Sequence, residues 1–317
     1  MNVMTAAVQM FVMFLLILTG YFCYKTHLIS PENNACLSRL VVNVFNPAMI
    51  FSSVLGNSGN GTVDSIPLLF LVSAGIFLFL IVLSKIFVRI FREAGDQKPT
   101  TELLYIFANV GFVGIPVVKA LLGTDKLIYV AVFILEYNVL VYTYGISLLK
   151  RKAQEKEAAK ASFRLSSLKP LVNPGTIACV ATLFIFITGI SLPQPLSDGL
   201  QYLANATTPV SLIVIGVSLG IQADLVSLFT SGKRYLFCLC KLLAIPIIGT
   251  LFLKRLPISD VMCQVYMIMM AMPCGNLILM LVEESGRDGR ECSYRIILST
   301  LLSILSIPIL VFLYPYL

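Results

Sequence analysis

Ala108–Gly123 reads ANVGFVGIPVVKALLG and Ala271–Gly286 reads AMPCGNLILMLVEESG. Each places helix-breaking residues in the middle of an apolar run: Asn109, Gly111, Gly114 and Pro116 in the first, Pro273, Gly275 and Asn276 in the second. An interior glycine costs a helix about 1 kcal/mol relative to alanine and an interior proline about 3 kcal/mol, so neither run is expected to form one continuous helix. A helix interrupted in lipid exposes N–H and C=O groups that are tolerated only against protein or a hydrated cavity. Two interruptions at matching places therefore point to a shared binding site. The freed N–H groups and positive helix ends suit an anion, and the amides of Asn109 and Asn276 add hydrogen bonds.

The rest of the chain sets these runs in a membrane. Of 317 residues, 58% are hydrophobic and 12% charged, and the mean hydropathy is +0.91. An average soluble domain is roughly a quarter charged, so this chain lacks the polar side chains to cover a water-facing surface of its size. Ten apolar runs are separated by short polar clusters, at residues 3–24, 39–56, 66–88, 101–121, 127–149, 174–192, 200–221, 235–253, 260–282 and 295–314. About 20 apolar residues span the hydrocarbon core as a helix, and the runs are too continuous for barrel strands, which alternate. With the N-terminus outside, strict alternation puts 18 of the 23 Lys and Arg residues in cytoplasmic connections and four outside, with Lys241 inside a run. That asymmetry follows the positive-inside rule and places both termini outside and the basic segment 150–173 in the cytoplasm. The net charge of +7 is accounted for by these loops, so no nucleic-acid partner is expected. No basic residue precedes the first run and Lys25 follows it, which reads as a retained helix rather than a cleaved signal peptide.

The segment 150–173 divides the chain into five runs on each side, 1–149 and 174–317. Pro47, in NPAMIFSSVLG, and Pro209, in TTPVSLIVIGVSLG, are 162 residues apart, and the two Gly/Pro clusters are separated by nearly the same offset. A five-span unit duplicated in tandem must enter the membrane upside down the second time. The expected fold is all-α and polytopic, with ten transmembrane helices as two inverted five-helix repeats and broken crossover helices at spans four and nine.

The segments around Asn109, Pro47 and Pro273 resemble the auxin efflux carrier (AEC) family of membrane transporters, including its bacterial malonate- and malate-transporter-like members, over essentially the whole chain. The resemblance implies a fold similar to the bile acid/sodium symporter group. Spans 1, 2, 6 and 7 would form a scaffold, and spans 3, 4, 5, 8, 9 and 10 a transport domain that moves as an elevator. It also implies that Asn109, Gly111, Gly114, Pro116, Pro273, Gly275 and Asn276 form the crossover and bind substrate, with Asn46, Pro47 and Pro209 on the scaffold side. Plant members carry a longer hydrophilic loop after span 5, so the short one here makes auxin itself a poor substrate candidate.

Few other polar groups lie within the runs. Glu136 sits roughly 15 Å deep, ten residues beyond Lys126 at 1.5 Å per residue, and a carboxylate at that depth needs a role or a partner. Asn138 lies close to it in sequence. Lys241, six residues into its run, can either snorkel outward or reach toward Glu136. These three residues are the candidates for coupling to Na⁺ or H⁺, the alternative being a structural ion pair or a carboxyl held neutral by burial. Gly216 and Gly220 form a GxxxG that permits close helix approach, either within the scaffold or in a homodimer through scaffold helices. The eight cysteines are scattered and His27 is the only histidine, so neither a disulfide framework nor a metal site is expected. No GxxxxGK[ST] phosphate loop occurs, so no nucleotide-driven pump is expected and no cofactor is implied beyond a coupling ion. The leading function is secondary transport of a small mono- or dicarboxylate such as malonate or malate. A non-transporting membrane sensor is the alternative, with an intramembrane enzyme further behind, since no HExxH or paired span aspartates are present.

Overall fold

The computed structural model describes residues 3–52, 64–93, 95–150, 174–221 and 225–317. The basic linker placed at 150–173 lies, apart from Lys150, outside the described residues. Among those described the chain is helical: α1 Val3–Lys25, α2 Pro31–Ser52, α3 Ile66–Ile90, α4 Lys98–Ile106, α5 Val110–Leu122, α6 Thr124–Leu149, α7 Pro174–Thr188, α8 Gln194–Ile221, α9 Leu225–Phe229, α10 Gly232–Leu253, α11 Asp260–Ala271, α12 Asn276–Glu284 and α13 Arg290–Leu313. Seven of these (α1, α2, α3, α6, α8, α10 and α13) are long and apolar enough to cross a membrane. The runs expected at 101–121 and 260–282 are each divided into two shorter helices. Helix α3 shows the membrane character directly. Leu69, Val72, Ile76 and Leu80 are buried, while Leu71 and Leu78 on its other side are 70% and 64% exposed, an apolar surface that water would not stabilise.

Prolines widen these helices without breaking them. Of four five-residue π-turns among the described residues, three, 41–45, 110–114 and 240–244, are each followed at the second residue by proline, in Asn46-Pro47, Ile115-Pro116 and Ile245-Pro246, and the fourth, 141–145, is not. In each of the three, the N–H before the proline bonds five residues back, to Val41, Val110 and Cys240 respectively. A proline ring clashes with the carbonyl four residues earlier and cannot donate to it; one wider turn relieves the clash and keeps the neighbouring bonds. Pro116 therefore lies inside a helix. The interruption expected around it falls earlier, at Phe107–Asn109.

Helices α1 and α8 pack backbone to backbone. A Cβ on Gly20 would lie 2.1 Å from the Ile213 carbonyl oxygen, one on Gly216 would lie 1.9 Å from that of Ile17, and one on Gly220 would lie 2.6 Å from the Tyr24 ring. The Gly216/Gly220 pair is thus occupied within the chain by α1. Helix α8 also packs on α2, and α2 on α7; on the other side, α3 packs on α4 and α6, α10 on α11 and α13, and α12 on α13.

Gly216→Ala drives a methyl group into the Ile17 carbonyl and should cost about 1–3 kcal/mol. It is read as a lower melting temperature of the purified protein. Gly75→Ala on α3, where the added Cβ meets nothing within 4 Å, should leave the melting temperature unchanged.

Candidate functional site: the crossing of two interrupted helices

The interruptions at Phe107–Asn109 and Met272–Gly275 pair with each other. Ala108 and Cys274 form an isolated antiparallel β-bridge. The Asn109 N–H donates to the Pro273 carbonyl at 2.7 Å and the Gly275 N–H to the Phe107 carbonyl at 3.1 Å. Each segment thus supplies the partners that the other lost by leaving its helix. The close approach depends on Gly275, whose Cβ would lie 3.0 Å from the Ala108 oxygen and 3.2 Å from the Tyr137 hydroxyl.

The ends of the half-helices are closed by side chains. Asn109 Oδ1 accepts from the Phe112 N–H at 3.2 Å, capping α5. At the C-terminal end of α4, Lys241 Nζ donates to the Tyr105 carbonyl at 2.9 Å and Cys274 Sγ to that of Leu104 at 3.5 Å. Ser299 on α13 accepts from the Cys274 N–H at 3.1 Å. Gly114 makes room for Met269 and Met272, and Met267, Met269, Met270 and Met272 are all buried.

Helices α2 and α8 close the other side. Asn46, buried at the start of the helical turn that holds Pro47, places Nδ2 3.0 Å from where a Gly111 Cβ would stand, and its Oδ1 has no hydrogen-bond partner. Two hydroxyls flank Pro209 on α8. Thr207 Oγ1 lies 2.9 Å from the Phe45 carbonyl and Ser211 Oγ 3.2 Å from that of Phe112. Both of those carbonyls belong to π-turn segments. Just beyond, a cavity of about 240 Å³ lies between α8 and the α12–α13 pair, lined by Asn276 with Ser218, Leu219, Ser293, Ile297 and Thr300 among others. Among the described residues its lining carries no charged side chain.

The residues selected from the sequence divide into two sets. The crossover residues and Asn46 come together at one place. Asn276 opens onto the cavity, whereas the Asn109 oxygen serves its own helix. The proposed coupling group disperses. Lys241 is wholly buried and donates to the Tyr105 carbonyl at the end of α4 rather than pairing with Glu136. Asn138 Nδ2 donates to Thr176 Oγ1 on α7 at 2.9 Å. Glu136 has Ser73 and Tyr266 as polar neighbours, and Glu136 Oε2 and Ser73 Oγ are buried without hydrogen-bond partners.

Sequence reasoning missed the anchor of α4. Arg295, counted there only as a loop charge, is 5% exposed. It donates to Thr101 at 2.6 Å and to both oxygens of Glu93 at 3.0 and 3.1 Å, with its guanidinium 4.9 Å from the Phe237 ring centre. The signal was an arginine at the very start of an apolar run with an acidic residue at the end of another.

Comparison with known proteins gives a match to the family described as membrane transport protein over residues 3–311, which bears out the AEC resemblance. An uncharacterized transporter of Methanothermobacter thermautotrophicus is 26% identical over 304 residues, 93% of each chain. An uncharacterized transporter of Methanocaldococcus jannaschii is 24% identical over 216 residues, 67% of this chain and 68% of the relative.

Arg295→Met strands the largely covered Glu93 carboxylate and should destabilise the protein by about 3 kcal/mol. The double variant Arg295→Met/Glu93→Gln should recover part of that loss. Thermal melting of the four proteins of this cycle measures the coupling.

Proposed function

The chain belongs to the membrane transport protein family, and from that premise we propose that it is a secondary carrier of a small organic anion. The substrate class is a mono- or dicarboxylate such as malonate or malate, and the mechanism is elevator-type alternating access. The observation that carries this reading is the junction of the Ala108–Cys274 crossing with the cavity at Asn276. An interrupted helix pair is costly in lipid unless it serves a site, and here one half-helix begins at the wall of a cavity large enough for a small carboxylate. The positive end of α12 and the Asn276 amide supply the anion's hydrogen bonds.

The packing supports a division between a fixed and a moving part. The α1–α8 contact is backbone on backbone and resists sliding. Across the interface to the crossover, Ser211 on α8 reaches the Phe112 carbonyl, Lys119 on α5 reaches Asn205 on α8 and Asn46 faces Gly111, polar contacts that can be broken and remade beside the packing of α1 on α13 and of α7 on α6. In this reading α1, α2, α7 and α8 stay in place while the crossover moves past Pro47 and Pro209, within ten crossings arranged as two inverted repeats. Both termini are outside, the 150–173 segment is cytoplasmic, and a homodimer would form through the scaffold. Glu136, with its unpartnered oxygen beside Ser73, is the group that takes up the coupling proton or Na⁺.

Purified protein in liposomes, offered labelled malonate, malate, lactate and indole-acetate under separate proton and sodium gradients, should show saturable uptake of one substrate class with one gradient. Asn276→Ala should abolish that flux and Asn109→Ala should reduce it at least tenfold, both with intact expression. Wild-type flux in both variants contradicts the site. Glu136→Gln should lose the dependence on the driving gradient; an unchanged pH and sodium dependence contradicts its coupling role.

A further inference from the structure

Lys241 is the only lysine among the described residues that is wholly buried, and its position has a consequence for the crossover itself. Helix α4 stops at Ile106 in an apolar interior, where the partial negative charge of a helix C-terminus, equivalent to about half an electron, has no water to screen it. Its last carbonyls are taken one by one. Leu103 accepts from the Phe107 N–H at 2.8 Å, Leu104 from Cys274 Sγ at 3.5 Å, and Tyr105 from Lys241 Nζ at 2.9 Å. No carboxylate forms an ion pair with Lys241 among the described residues. A buried ammonium is expensive unless something of opposite sign offsets its lost hydration. Here that partner is the open end of α4. In carriers with interrupted helices, such ends bind free Na⁺ or take up protons.

We propose that Lys241 is a tethered cation for the crossover: its ammonium permanently fills, at the C-terminal end of α4, the position that a free monovalent cation would otherwise occupy. Lys241 is thus a positioning residue that holds the Ala108–Cys274 crossing from behind. Its local sequence context suits the task. The π-turn 240–244, imposed by Pro246, carries Lys241 toward α4, and the neighbouring Phe237 ring packs on Tyr105 at 4.4 Å between centres. The inference rests on the geometry of the crossing and not on which substrate is carried, so it stands or falls separately from the proposed function.

The test is thermal melting of the full-length wild-type protein, Lys241→Met and Lys241→Ala in detergent, with chloride salts of choline, sodium and ethylammonium at constant ionic strength. Lys241→Met keeps the volume and removes the charge, and should melt several degrees below wild type in every salt. Lys241→Ala leaves a vacated site, and ethylammonium or sodium should raise its melting temperature saturably relative to choline by more than the same salts raise that of wild type. Lys241→Met melting like wild type overturns the proposal. So does a Lys241→Ala response no larger than that of wild type, or a Lys241→Ala protein that stays unfolded at saturating ethylammonium.

Discussion

The structure depends on one constraint, that a peptide group in an apolar interior must find a partner. An amide–carbonyl bond is worth about 4–6 kcal/mol in an apolar medium, so two helices that end inside the bundle would be untenable alone. The antiparallel bridge between Ala108 and Cys274 answers this with two backbone hydrogen bonds, and Asn109, Lys241, Cys274 and Ser299 close what remains. The other features of the site follow from keeping this bridge intact. Gly275 lets the backbones meet, the buried methionines fill the space around Gly114, and Arg295 fixes α4 to the ends of α3 and α13.

The same constraint bears on the prolines near the crossover. At Pro47, Pro116 and Pro246 the helix continues through a π-turn before the ring that preserves the hydrogen-bond ladder, whereas Pro209 and Pro308 sit within α8 and α13 without one. Where the chain leaves the helix, as at Pro273, the residue is extended and its carbonyl is given to Asn109. Glycines lock α1 to α8, whereas small polar groups face the crossover from α2 and α8.

Much of this was legible in the sequence. Unbroken apolar runs and the sparse charge fix an all-helical membrane protein, and the Gly/Pro clusters mark where helices α4–α5 and α11–α12 are interrupted. The first interruption was read at Asn109 through Pro116; Asn109 lies in it, whereas Pro116 sits within a helix, because propensity counts a proline as a break and cannot anticipate that a wider turn absorbs it. Partners were harder still. Whether Lys241 met Glu136 or a carbonyl, and whether Arg295 was a loop charge or a buried clamp, depended on distances between helices far apart in sequence. One-dimensional patterns carry no such distances. Asn46 was selected for the scaffold side of the site, while its unpaired oxygen and its approach to Gly111 emerge only from the fold.

If the crossover carries substrate past a fixed scaffold, a bond across that interface must stop it. The Gly111 Cβ position lies 3.0 Å from Asn46 Nδ2, so cysteines at both places, with the exposed Cys36 replaced by serine, can be joined by a disulfide or a short bis-thiol linker. Liposome flux of the same preparation, oxidised and then reduced, is the direct measurement. The account predicts that flux vanishes when positions 46 and 111 are joined and returns on reduction. Equal flux in the two states would contradict a moving crossover.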